Sequence, residues 1–379
     1  MRILWNEIKK ILTWKMLLLL FFVNTVLYLL LIEFHIEHFP NGRPALDSYK
    51  IGIEMIDKYG TDFDEEEFLD FKKTYENQLD QANEYLQSKK EFVDADITSY
   101  EDFRNFDSEN EEDTALRNKL LFEEEVDIFW ELQERERLIE FYEGKEESLD
   151  AYKQNATVAQ VAKFDELIEA RNFQVYTEVV IRNYEEYIFY VAIVILLSTI
   201  LMVSPGILRD RTRQLIDLQY TAKKGRNLYK TKIMAGLLTS IMMITVLLVV
   251  YMSIYSLNNT SMYFDIPVHM FITAHYWYDP TFFQYILLTI LAIYVLGIVT
   301  SLVAMSFSSI VPNFITLIGV QVPYVFVMLA LGLGYLMNKI ISIWLPQWIV
   351  PTSYGVLLMV SIISVVLLWK RENRRDIVL

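Results

Sequence analysis

Apolar positions in this chain gather into six long runs, and the stretch between the first and second of them is polar but periodic. Residues 16–32 form a 17-residue run broken only by Asn24 and Thr25, close to the shortest stretch that crosses a hydrocarbon core of about 30 Å at a 1.5 Å rise per residue. Five more runs follow, at 187–203, 233–257, 282–307, 314–337 and 348–369. The pattern predicts an all-α membrane protein with six transmembrane helices (TM1 to TM6) and a helical extracellular domain inserted between TM1 and TM2. The expected boundaries are an amphipathic elbow at 1–15, the inserted domain at 33–186, loops at 204–232 and 258–281, and a tail at 370–379.

Within the insert, Phe68, Phe71, Tyr75, Leu79, Ala82 and Leu86 recur at spacings of three and four, the period of one buried helix face. A second series is Leu121, Ile128, Leu132 and Ile139. A third is Val161, Phe164, Ile168, Val175 and Val179, preceded by Thr157 and Gln160 in a capping-box arrangement. Strand alternation is hard to find. The expectation is a helical hairpin or small bundle whose third helix runs nearly uninterrupted into the second span, with 102–113 as a polar linker.

Charge assigns sides to these segments. The insert holds forty-two of the forty-nine acidic residues and seventeen of the thirty-four Lys and Arg, a net −25, while the remainder carries +10. Cations near span ends stay on the cytoplasmic side. Arg2, Lys9, Lys10 and Lys15, then Arg209 to Lys232, then Lys370 to Arg375 fall on alternate connections, as six spans with both termini inside require. Lys339 is the exception, and the acidic insert is expected outside. A secretory signal is the competing reading of the first run, but residues 33–38 offer no small-residue cleavage site. The chain has no cysteine, so packing rather than disulfides must hold the insert.

Candidate chemistry is sparse. The acidic runs 64–67, 109–113 and 123–125 could attract a cation or cationic peptide, or form a solvated face. The four histidines, His35, His38, His269 and His275, are all expected outside, and the one-turn spacing of His35 and His38 could begin a metal site or lie at the membrane surface. No Asp, Glu, Lys, Arg or His falls inside the six apolar runs, which argues against an ion-coupled carrier. Asn24, Thr239, Ser240, Thr300, Ser301 and Gln321 suit hydrogen bonds between helices. Pro323, Gly332 and Gly334 mark the fifth span for a kink. No phosphate-binding glycine loop is present, so a transporter of this kind needs a motor in another chain.

The loop 204–232 offers the surface for such a partner. Pro205 and Gly206 are expected to break the second span, Leu208, Leu215 and Leu218 to share a helix face, and Lys224 and Gly225 to turn the chain. The alternative is a basic loop that only anchors at anionic lipid. Residues 212–218, the turn 221–226, and Lys230 or Lys232 ahead of an apolar span resemble the segment of ABC-2 type transport permeases that docks onto an ATP-binding subunit. Leu4, Trp5, Ile8, Ile11 and Leu12 with Lys9 and Lys10 look like that family's interfacial elbow helix.

The resemblance implies the permease subunit of an ABC exporter, not itself an enzyme, holding no cofactor and working with cytoplasmic ATPase subunits that bind ATP and Mg. It implies a second permease copy or a homologous permease, contact with membrane lipids, and no nucleic acid. The docking residues it points to are Arg209, Asp210, Arg213, Asp217, Lys223 and Arg226. Expected cargo is an amphiphile such as an antimicrobial peptide, drug or envelope component. The rival readings are a sensor or antibiotic-resistance module whose acidic domain captures cationic antibiotics, a sodium-export permease, and a membrane-embedded enzyme.

Overall fold

A computed structural model describes residues 2–61, 63–105, 110–124, 126–169, 174–215 and 225–374. Among these, six helices are long and apolar enough to cross a membrane: Trp14–Ile32, Val179–Thr212, Leu228–Asn258, Phe282–Ile310, Phe314–Leu336 and Ile349–Arg374. The chain is thus a multi-pass, all-helical membrane protein. No strand occurs among the described residues, only isolated bridges such as Tyr176 to Phe271.

The elbow helix α1 (Arg2–Ile11) precedes α2 (Trp14–Leu27), which starts where Thr13 accepts a hydrogen bond from the Met16 amide and supplies one of the otherwise orphaned donors of a helix start. Burial ranks the spans. About 72% of the apolar window of the second span and 56% of the fourth lie inside the protein, against 11% for the first, fifth and sixth. The second and fourth are therefore the axis, and the other three present most of their apolar surface outward, as helices facing lipid do.

Small residues let the third and fourth spans approach closely. A Cβ at Gly236 would lie 2.3 Å from Met305 Sδ, and one at Gly297 would lie 2.4 Å from Ile244 Cδ1. Ser240 and Ser301 hydrogen-bond across the same seam at 2.8 Å, the packing mode of helices that gain nothing from burial against lipid. Asn24 does similar work for the peripheral first span, donating to Ser198 at 2.9 Å and accepting from the Tyr251 hydroxyl at 3.2 Å. Gln321 of the fifth span donates to Ser204 at 2.6 Å. That span also carries Pro323 within helix α12 (Phe314–Val327) and the π-helical turn Met328–Gly332, the irregularity its sequence predicts.

The insert is a bundle of helices: α3 (Ala45–Tyr59), α4 (Glu65–Ser88), α5 (Asp127–Glu143), α6 (Lys145–Lys153) and α7 (Val158–Glu169). Asp64 and Glu67 close a capping box at the start of α4, so part of the acidic run 64–67 serves the helix end. Phe68, Phe71, Ala82 and Leu86 of α4 are buried, as their period predicts. The third apolar series departs from expectation. Helix α7 is described as far as Glu169, and Val175 and Tyr176 are not helical, their amides donating to the Met270 carbonyl at 2.8 and 2.9 Å. Backbone pairing with the 266–272 segment replaces helical bonds there, and the second-span helix begins afresh at Val179.

Two further boundaries differ. Asp102 sits in a short helix, Tyr100–Arg104, capped by Ser99, and 111–113 open another, Glu111–Asn118, capped by Asn110, so these parts of the expected linker are helical. Nor does Pro205 end the second span: α8 (Val179–Val203) resumes as α9 (Pro205–Thr212), because proline in the first helical position gives up an amide that has no partner anyway. The basic loop accordingly begins near Arg213. It ends by the turn Gly225–Asn227 ahead of α10 (Leu228–Tyr255), several residues before the expected 233.

Candidate functional site

The end of the bundle carrying the basic segments is closed by a buried ion cluster drawn from three places in the chain. Glu7 of α1, Asp210 of α9 and Lys232 of α10 are 9%, 4% and 8% exposed. Lys232 Nζ lies 2.9 Å from Glu7 Oε2 and also bonds Asp210 Oδ2. The half-exposed Lys10 adds a second cation, 2.7 Å from Glu7 and 3.6 Å from Asp210. Burial weighs against the Lys10 ammonium, but the two carboxylates outweigh it and leave its pKa raised. Among the described residues two cations here face two anions, so removing Lys232 leaves buried carboxylates without the cation that joins them.

The same end is tied to the remaining spans by backbone acceptors. Arg209 Nη2 donates to the Lys10 carbonyl at 2.9 Å, one of the orphan acceptors at the end of α1. Arg211 donates to the carbonyls of Ser309 and Val311 at the end of α11 (Phe282–Ile310) and lies 3.8 Å from Glu372 of α13 (Ile349–Arg374). The Leu208 amide donates to Ser308 Oγ at 3.0 Å. Lys230 sits over the Trp369 ring at 3.8 Å. The two ends of the basic loop, Asp210 and Lys232, thus meet on a platform that also grips the elbow, the fourth span and the sixth.

Of the six docking residues predicted from sequence, Arg209, Asp210 and Arg213 are the ones whose side chains the structure describes. Arg209 and Asp210 point into the platform. Arg213 is exposed just beyond α9. Arg226 is described only as backbone, in the turn Gly225–Asn227, and Asp217 and Lys223 lie outside the described residues. Sequence reading missed Glu7 as the partner of Lys232. A signal was available: only seven acids lie outside the insert, and an acid standing among the cations of an amphipathic helix is a natural counter-ion for a lysine at a span boundary.

At the opposite, acidic end the four histidines go to different partners. His35 Nδ1 is 3.6 Å from Glu186, His38 packs on Phe34, His269 bonds Asp279, and His275 Nδ1 faces the Thr273 carbonyl at 3.1 Å with its ring edge-on to Tyr152. Burial pushes the pKa of His35 and of His275 down. Among the described residues no group of three His, Asp or Glu could hold a metal ion. Glu185, in the first turns of the second-span helix, accepts from the hydroxyls of Tyr276 and Tyr285 at 2.9 and 3.0 Å.

No protein-family model, curated protein or solved structure matches the chain. Architecture and the basic-end platform are therefore what bear on its class.

Proposed function

We propose that this chain is the permease subunit of an ATP-driven ABC-2 type exporter in a bacterial plasma membrane. Both termini and the loop beyond Arg213 lie in the cytoplasm, the acidic insert lies outside, and the cargo is an amphiphile. Cytoplasmic ATPase subunits supply the energy, ATP and Mg being bound there and not in this chain, and a second permease copy or homologue completes the pore.

The observation that carries the reading is the platform formed by Glu7, Asp210 and Lys232. A partner pushing on a loop whose two ends are clamped together moves the elbow and the second, third, fourth and sixth spans with it. A loop that only anchors at lipid has no use for such a base. The charge partition supports the orientation, since cations are retained on the cytoplasmic side.

Two experiments test it. The chain lacks cysteine, so single cysteines at Ser148 and at Arg213 can be labelled in intact cells with a membrane-impermeant maleimide; Ser148 reacts and Arg213 reacts only after lysis. An ATPase subunit co-purifies with the unaltered chain, and replacing Arg213, Asp217, Lys223 and Arg226 together by Ala releases it. Retention of the partner by that variant sinks the docking assignment.

A further inference from the structure

Between the fourth and sixth spans, at the acidic end, lies an open groove of about 650 Å³. Leu288 and Leu291 of α11 form one wall, and Tyr354 and Leu358 of α13 the other. Its floor is Ala292, Val350 and Ile341, each 5–6% exposed. Lining residues on α11 run from Gln284 to Val295, about 16 Å at the helical rise, which is the proportion of a slot for an extended chain rather than for a compact solute.

The mouth is different in kind. Tyr278, Asp279 and Gln284 stand there, and the Asp279 side chain is 38% exposed. His269 bonds one of its oxygens through Nδ1, and the other has no hydrogen-bond partner among the described residues. Among the described residues no Lys or Arg lines the groove. Lys339, next in the chain to the lining residue Ile340, holds its ammonium 5.4 Å over the Tyr335 ring. The slot therefore joins an apolar body, open sideways to the hydrocarbon that the spans require, to a single carboxylate at the polar boundary. A carboxylate in that position attracts a cationic head and repels an anionic one, while an apolar chain alone would not need it.

We infer that this groove binds a membrane-partitioned amphiphile with an ammonium head, the head against Asp279 and the apolar chain along Leu288, Leu291 and Leu358. The inference rests on the membrane reading of the spans. It narrows the cargo class of the proposed exporter, but binding at this site needs no ATPase and stands or falls apart from the export reading.

The test uses the full chain, without an ATPase, in phosphatidylcholine nanodiscs doped with tetradecyl photo-crosslinking probes that differ only in an ammonium, hydroxyl or carboxylate head. Cross-linked peptides are then mapped by mass spectrometry. The ammonium probe labels 284–295 and 350–358 about fivefold more than the hydroxyl probe, a contact of about 1 kcal/mol, and the carboxylate probe labels them least. Asp279→Asn, which keeps a hydrogen-bond acceptor for His269, removes the preference for ammonium. Leu291→Trp, at a position 60% exposed and so tolerant of bulk, lowers labelling by all three probes while the elution profile of the protein stays unchanged. Equal labelling by the three heads, or a preference that survives Asp279→Asn, overturns the assignment and leaves the groove an ordinary lipid contact.

Discussion

Replacing Lys232 by Met removes the cation that joins Glu7 to Asp210 and leaves two buried carboxylates beside the half-exposed Lys10. At 2.9 Å and an effective dielectric of about 20, the Glu7–Lys232 attraction alone is about 6 kcal/mol. Desolvating the ions offsets most of this in the intact cluster. Deleting one partner does not restore the hydration of the others, so the single variant loses about 3–5 kcal/mol. Met retains the length and apolar stem of Lys, which confines the perturbation to the charge. The assay is thermal and denaturant unfolding of the purified chain in an uncharged detergent, run as a cycle of Lys232→Met, Asp210→Leu and the double variant. The double variant comes out more stable than Lys232→Met, because an apolar pair needs no counter-ion. Simple additivity of the two single effects, or a Lys232→Met variant within about 0.5 kcal/mol of the parent, would refute the claim that the cluster acts as a buried unit.

His275 is buried with its pKa below the ordinary value near 6.5, and His35 shifts the same way for the same reason, with Glu186 opposing. The unfolded chain then binds protons that the folded one resists, so stability is full above about pH 6.5 and falls as pH drops through the folded values; a His35→Asn, His275→Asn variant has a flatter unfolding midpoint between about pH 7 and 5. Gly297→Leu drives a side chain into Ile244 and costs about 1–3 kcal/mol, part of which Ile244→Ala restores, read by the same unfolding assay. Asn24→Leu removes the bonds to Ser198 and Tyr251 and costs about 0.6–1.7 kcal/mol. It also loosens the first span, measured as a lower yield of disulfide between cysteines placed at positions 20 and 202, which share one buried cluster, in the Asn24→Leu background than in the parent.

The spans and the helix faces of the insert were legible in the sequence because both depend on local periodicity. Phe68, Phe71, Ala82 and Leu86 are buried as their spacing of three and four requires, and the six apolar windows fall where hydropathy places them. Where the reading failed, a distant segment had overruled a local tendency. Val175 looks helical in sequence, yet its amide is taken by the Met270 carbonyl, an acceptor nearly a hundred residues away in the chain. Pro205 looks like a stop, yet the helix resumes on it, and α9 is held by Ser308 and by the carbonyls at the end of the fourth span.

Sequence alone determined that this is a helical, multi-pass membrane chain with an acidic insert, since apolar run length and charge need no knowledge of contacts. Only the tertiary structure decided which charges neutralise which. Glu7 and Lys232 are 225 residues apart, and although Glu7 stands out as an acid among cations, nothing local says which cation it meets. Their pairing arises because the elbow and the start of the third span are packed against the same end of the bundle, where an unpaired charge shut away from water would be too costly to keep. The same packing buries Asp210 at the base of the loop and leaves Arg213 exposed just beyond it.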